Sequence, residues 1–180
     1  GETIAIPELT LLDDPHRQGA NRSCFLDAEG FLTKPLPLIE EGVFRNFLYH
    51  VESANKENKS STGHAVRGYS GGIGTRSHNL VWPTGELSLE QLCAQNSKCL
   101  LVTQLEGQAG CNPVSGDISI GVQGFLIENG LRIQPVDSIT LAGNFFDVML
   151  NIRGSGNTYQ PELAHSFIPA LLIEGLTVSG

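Results

Sequence analysis

Local metal-binding spacing is missing from this chain. Its five histidines, at 16, 50, 64, 78 and 165, include no pair three to five residues apart, which excludes a self-contained helical His-Glu-x-x-His site. The four cysteines, at 24, 93, 99 and 111, form no C-x-x-C, so free thiols are expected rather than a disulfide or zinc framework. Cations are scarce: 11 Lys and Arg stand against 19 Asp and Glu, giving a net charge of −8 and a pI near 5.0. Lys34, Arg45, Lys56, Lys59, Arg67 and Arg76 are scattered along the chain, and nucleic acid is excluded because phosphate binding needs a basic face. No apolar run approaches the ~18 residues of a membrane span. The opening Gly1-Glu2-Thr3-Ile4 has neither the basic nor the apolar part of a signal peptide, so a cytoplasmic location is expected. Beginning on Gly1 without Met, the chain reads as a piece of a longer protein.

Catalytic motifs are equally scarce. No G-x-S-x-G occurs, and Gly71-Gly72-Ile73-Gly74 is followed by neither Lys-Ser nor Lys-Thr, so it is not a P-loop. The adjacent acids Asp13-Asp14 and Glu40-Glu41 would face opposite sides of a strand and so make no catalytic pair. Asp13-Asp14-Pro15 reads as a turn.

What the chain does have is glycine, 21 of 180 residues, which implies many turns. The expected fold class is α+β: β-rich, with mostly antiparallel sheets built from hairpins and two or three short helices, in a single domain over 1–180. Strands are expected at 3–6, 23–27, 79–82, 99–105, 167–174 and 176–178. Hairpins are expected over 36–48, turning at Glu41-Gly42, and over 117–135, turning at Asn129-Gly130. A short helix is expected within 49–57. Ser88 is placed to cap a helix over 89–96. Asn144 is placed to cap one over 145–152, apolar nearly all round and therefore expected to be buried. Residues 58–79 read as a long Gly/Ser-rich loop. In it Thr62, Gly63, His64, Arg67 and Tyr69 are polar or small positions suited to an extended peptide. The stretch 112–157 reads as a shaped surface without chemistry of its own. Leu38-Ile39-Glu40-Glu41-Gly42 and Leu126-Ile127-Glu128-Asn129-Gly130 are near copies. They fit either an internal duplication, with related hairpins facing each other in one sheet system, or convergence on a good hairpin.

An ordered series of short motifs spans nearly the whole chain. It runs through Leu12-Asp13-Asp14-Pro15, Asp27-Ala28-Glu29-Gly30, Leu38 to Gly42 and Ser61-Thr62-Gly63-His64-Ala65. It continues with Asn112-Pro113-Val114-Ser115-Gly116-Asp117, Gly124 to Gly130, Thr140-Leu141-Ala142-Gly143-Asn144, Gly156-Asn157 and Leu176 to Gly180. The series resembles the C-terminal half of the PmbA/TldD family, long labelled modulator of DNA gyrase. The resemblance implies half of a two-subunit zinc peptidase that degrades unstructured peptides and matures a microcin precursor. In such a pair the TldD-type subunit carries a His-Glu-x-x-x-His helix completed by a cysteine near its C-terminal end, and the PmbA-type (TldE) subunit lacks these ligands and shapes the cleft. No cysteine lies between Asn157 and Leu176 here, so this chain resembles the PmbA type. His64 departs from the Asn that the family often has after Thr-Gly.

The resemblance implies a non-catalytic cleft and assembly domain, inactive alone and holding no cofactor. Zinc is expected in a TldD-like partner. The candidate peptide contacts are Thr62, Gly63, His64, Arg67 and Asn144, with no catalytic or metal residue assigned. A homodimer in isolation fits too. The rival readings are an active metallopeptidase whose metal helix lies upstream, and an interaction module that modulates gyrase or a toxin.

Overall fold

The computed structural model describes residues 1–69, 71–107, 110–159 and 165–180. Ser70 of the glycine-rich run and the stretch 160–164 ahead of His165 lie outside them. The chain forms two compact units. The first comprises Gly1–Thr3, Pro7–Pro83 and the described part of Gln160–Ile168, and the second Ile4–Ile6, Thr84–Tyr159 and Pro169–Gly180. Among the described residues no helix is long and apolar enough to cross a membrane.

The first unit is built on a five-stranded sheet. Strand β1 (Leu11–Asp13) pairs antiparallel with β2 (Leu36–Glu40), which turns through Glu41-Gly42 into β3 (Val43–Phe44). Helix α1 (Val51–Lys56) follows, its start held by His50 N–H donating to Ser53 Oγ at 3.1 Å. The supposed 58–79 loop is more ordered than its composition suggests. It contains β4 (Ala65–Arg67) paired antiparallel with β5 (Ile73–Thr75), strands of three residues, too short for a period-2 pattern to show among glycines and serines. Strand β6 (Leu80–Val81) then lies on the far side of β1 and pairs parallel with a short strand at Ser166–Phe167, so the order is 166–167, β6, β1, β2, β3. Asp13 is therefore the last residue of an inner strand, opposite Leu36 and Leu80, and not a turn residue. Leu9, Leu36, Ile39, Tyr49, Ala54, Ala65 and Trp82 fill the core. The strands expected at 3–6 and 23–27 reduce to isolated bridges at Thr3 and Leu26.

The second unit begins with α2 (Leu89–Ala94), capped by Ser88, whose Oγ accepts from Gln91 N–H. Strands β7 (Lys98–Glu106), β8 (Asp117–Glu128) and β9 (Leu131–Asn144) make an antiparallel meander. Strand β9 runs nine residues past Pro135, where the sequence suggested an end. Proline is tolerated there because the other neighbour of β9 engages only Thr140–Ala142, so that among the described residues no strand pairs with Pro135 on that side. Helix α3 (Phe145–Leu150) leads into β10 (Ile152–Tyr159). The strand Ser166–Phe167 of the first unit is β11; β12 (Pro169–Ile173) pairs with β10, and β13 (Thr177–Ser179) edges β9.

Two sequence expectations fail in informative ways. Only Met149 of α3 is buried, while Phe145, Phe146 and Leu150 are 48, 49 and 45% exposed. Apolarity all round a helix says that it wants cover, but six residues offer one packing face, and among the described residues only that face is covered. The near-copy hairpins do adopt the same left-handed turn, with φ of 50° and 76° at Glu41-Gly42 and 50° and 79° at Asn129-Gly130. They lie in different sheets, however, so they do not face each other in one sheet system. The shared pattern follows the shared turn.

Candidate functional site

A buried polar hub lies at the end of β1. Asp13 is fully buried, and its Oδ2 lies 2.6 Å from His64 Nε2, 3.0 Å from His78 Nδ1 and 3.1 Å from the His78 backbone N–H. His64 is sealed as well, and the His78 side chain is 9% exposed. The two rings pack with centroids 4.7 Å apart. Burial by itself would raise the Asp13 pKa. The hydrogen bonds from His64, the His78 ring and the His78 backbone, with the electrostatic pull of His64, outweigh it and hold the carboxyl well below the usual carboxylate range. The other carboxylate oxygen, Oδ1, is buried with no hydrogen-bond partner among the described residues.

Local structure explains why these three side chains meet. Asp13 and Leu80 are register partners across β1 and β6, which brings His78 over the carboxylate. His64 is the residue just ahead of β4. It follows Gly63, whose φ is +75° and whose Cβ, if it had one, would sit 2.9 Å from the Leu32 carbonyl oxygen, so only glycine fits without strain. Thr62 fixes the approach: its Oγ1 accepts the Tyr49 N–H at 2.7 Å and lies 2.8 Å from His64 Nδ1. Buried Asn79 ties the surrounding loops down, donating to the Asp14 carbonyl and Ser23 Oγ and accepting from Arg22 N–H.

Outside the hub lies an open groove of about 370 Å³, lined by Arg22, Cys24, Asp27, Arg67, Arg76 and His78 among others. Asp27 is committed to the fold. Its Oδ1 accepts from Glu29 and Phe31 N–H and its Oδ2 from Ala65 N–H. Arg67 and Arg76 are exposed and give this face positive charge in an otherwise acidic chain. Burial, then the charges of Asp27 and Asp13, push the Cys24 thiol pKa up against the smaller opposing pull of Arg76.

Thr62, His64 and Asp13 have the connectivity of a hydroxyl–imidazole–carboxylate relay, but Thr62 Oγ1 is occupied by the Tyr49 backbone and His64 is out of reach of any substrate. Two imidazole nitrogens and a carboxylate, mutually within 4.8 Å, are a donor set suited to a zinc-like ion. The orphaned Oδ1 and the outer contact of His64 with Thr62 agree with that. A water-activating metal also needs an open coordination position, and Asp13 and His64 are fully enclosed. The set therefore fits an ion held for structure.

The sequence candidates divide. Thr62, Gly63 and His64 are adjacent, and Arg67 stands at the end of β4 on the groove. His64 points inward to Asp13. Asn144 belongs to the second unit, where its Oδ1 accepts from Phe146 N–H and its Nδ2 donates to the Ser115 carbonyl and Asp117 Oδ1. Asp13 and His78 were missed because the hub spans 51 and 65 positions of sequence.

Known proteins resemble this chain along its whole length. The profile of the PmbA/TldA metallopeptidase C-terminal domain matches residues 1–180. The metalloprotease PmbA of Escherichia coli O157:H7 is 38% identical over 157 residues, 87% of this chain and 33% of that protein. A metalloprotease PmbA homolog of Haemophilus influenzae is 37% identical over 181 residues, 100% of this chain and 38% of that protein. The crystal structure of TldE from Thermococcus kodakarensis superposes with a TM-score of 0.91 at 29% identity, covering 100% of this chain and 41% of that one. The chain thus spans about two fifths or less of the length of these relatives. It belongs to the PmbA/TldD family, as the metallopeptidase C-terminal domain of that family.

Proposed function

We propose that this domain is part of a PmbA (TldE)-like subunit and forms the substrate cleft and assembly surface of a two-subunit cytoplasmic metallopeptidase. The catalytic zinc would sit in a TldD-like partner. The observation that carries this reading is the match to TldE along the whole chain, joined to the enclosure of the one His/Asp donor set among the described residues. An enclosed donor set cannot present a metal-bound water to a peptide bond. The exposed phenylalanines of α3 support an assembly role, because apolar rings at a surface call for a covering partner. Without the partner, the same helix would pair two copies of the chain.

In this reading the substrate is an extended peptide. The exposed backbone of the β4–β5 pair hydrogen-bonds its main chain, and Arg67 receives a carboxylate. Thr62, Gly63 and His64 hold the strand pair in place from below, and Asn144 fixes the start of α3. When bound in the partner, zinc polarises the peptide carbonyl and activates water. The residues of this chain bind and orient the peptide.

The test is peptide cleavage by the full-length subunit, its TldD-like partner and the two together, with zinc added. Cleavage only by the pair is expected. Cleavage by this subunit alone would overturn the proposal.

A further inference from the structure

We propose that Asp13, His64 and His78 form a binding site for a divalent first-row transition ion of zinc type, which clamps together β1, the entry to β4 and the residue pair ahead of β6. The site does not depend on the functional reading above, and it departs from the expectation of a metal-free domain.

The donors are two nitrogens and a carboxylate. That set suits zinc and its neighbours rather than magnesium or calcium, which take oxygen ligands. His64 Nε2, His78 Nδ1 and an Asp13 oxygen are mutually within 4.8 Å. A tetrahedral zinc at about 2.0–2.1 Å from each donor spaces them roughly 3.3 Å apart. The observed 2.6 and 3.0 Å are the spacing of a proton-bridged form, and the two contacts would need to open by roughly 0.7 and 0.3 Å to admit the ion. Its second oxygen, buried and without a partner, is an unused ligand atom in a place where leaving a polar atom unmatched is costly.

Proton positions favour the exchange. An ionised carboxylate only accepts, so the metal-free hub needs N–H on both His64 Nε2 and His78 Nδ1. On metal binding each ring can carry its proton on the other nitrogen. His64 Nδ1–H then donates to Thr62 Oγ1 at 2.8 Å, while the Thr62 hydroxyl turns to the Tyr49 carbonyl at 3.2 Å. His78 would carry its proton on Nε2, and His78 lines the open groove. Two neutral imidazoles and one carboxylate hold the dication with no proton gained or lost overall. The Thr62 contact is the outer-shell partner that ligating histidines generally have.

The experiment uses the full-length subunit purified without its partner, stripped with chelator and then titrated with zinc or cobalt(II). One equivalent is expected to bind and to be lost in Asp13→Asn and in His78→Gln, the second variant covering the case that the first folds poorly. Cobalt(II) should give tetrahedral visible bands without the near-ultraviolet band of a cobalt–thiolate bond, because no cysteine is among the ligands. This spectrum separates the site from a His/His/Cys centre elsewhere in the protein. Zinc should raise the thermal midpoint read by circular dichroism by several degrees in the wild type and not in His78→Gln. The proposal is overturned if both variants keep the wild-type metal content, if a thiolate band accompanies the cobalt bound, or if zinc leaves the thermal midpoint where it was.

Discussion

Replacing Asp13 by asparagine tests the buried hub most directly, and its cost in the metal-free protein can be worked from the geometry. Three N–H donors converge on Oδ2 at 2.6, 3.0 and 3.1 Å. A hydrogen bond to a charged group contributes about 1.5–3 kcal/mol and one between neutral groups about 0.5–1.5, so neutralising the acceptor weakens each by roughly 1 kcal/mol. Asparagine can turn its carbonyl to the donors, but its NH2 then occupies the buried Oδ1 side, where the carboxylate oxygen has no hydrogen-bond partner among the described residues; a buried donor left unsatisfied there adds about 1–3 kcal/mol. The sum, about 4–6 kcal/mol, overlaps the ~3–5 kcal/mol typical of breaking a buried ion pair. Urea unfolding in the presence of chelator would measure it. Trp82 is the one tryptophan of these 180 residues and is buried in the first unit, so in this domain its fluorescence reports on the part of the chain that holds the hub. His78→Gln should cost less than Asp13→Asn, since the His78 backbone N–H and His64 still reach the carboxylate. A loss under about 1 kcal/mol for Asp13→Asn, or a larger loss for His78→Gln, would refute the view that one charged oxygen organises the site.

Other perturbations have separate outcomes. Gly63→Ala puts a side chain into left-handed backbone and 2.9 Å from the Leu32 carbonyl oxygen; it should lower the Trp82 unfolding midpoint by an amount equivalent to about 1–3 kcal/mol. Asn144→Ala removes the cap of α3 and two further hydrogen bonds. A loss of about 1 kcal/mol is expected, with faster hydrogen exchange at the Phe146 amide as the specific sign. For the thiols, exposed Cys111 should react first with an alkylating reagent. Only the thiolate attacks, and the Cys24 pKa is raised, so the Cys24 rate should keep climbing with pH beyond the point where an ordinary thiol levels off. A Cys24 profile that levels off at or below ordinary thiol pH would count against the buried, acid-flanked setting.

Features legible in the sequence were those whose cause is local. Asn129-Gly130 announced the β8–β9 turn because a two-residue hairpin needs positive φ at both positions, and Ser88 announced α2 because a serine hydroxyl caps the open N–H groups of a first turn. Strands β4 and β5 were hidden because three residues are too few to show alternation. Pairing across sheets was hidden as well. Nothing near Asp13 in sequence announces His64 or His78, and histidine spacing speaks only of neighbours along the chain. Helix α3 was placed correctly by Asn144 and misjudged in burial, because periodicity tells which side chains are apolar and not what covers them. The motif series carried family membership for a different reason: ordered short matches over 180 residues need no knowledge of contacts.

The phenylalanines of α3 also bear on how long a copy of this chain persists in a cell. Chaperones and proteases act on exposed apolar rings in solitary chains. A copy with Phe145 and Phe146 open to water is thus marked for capture or turnover in a way that a covered copy is not. The steady-state amount of this polypeptide should then track the supply of whatever covers α3, so that subunit balance would be kept by selective loss of the surplus without any matching of synthesis rates.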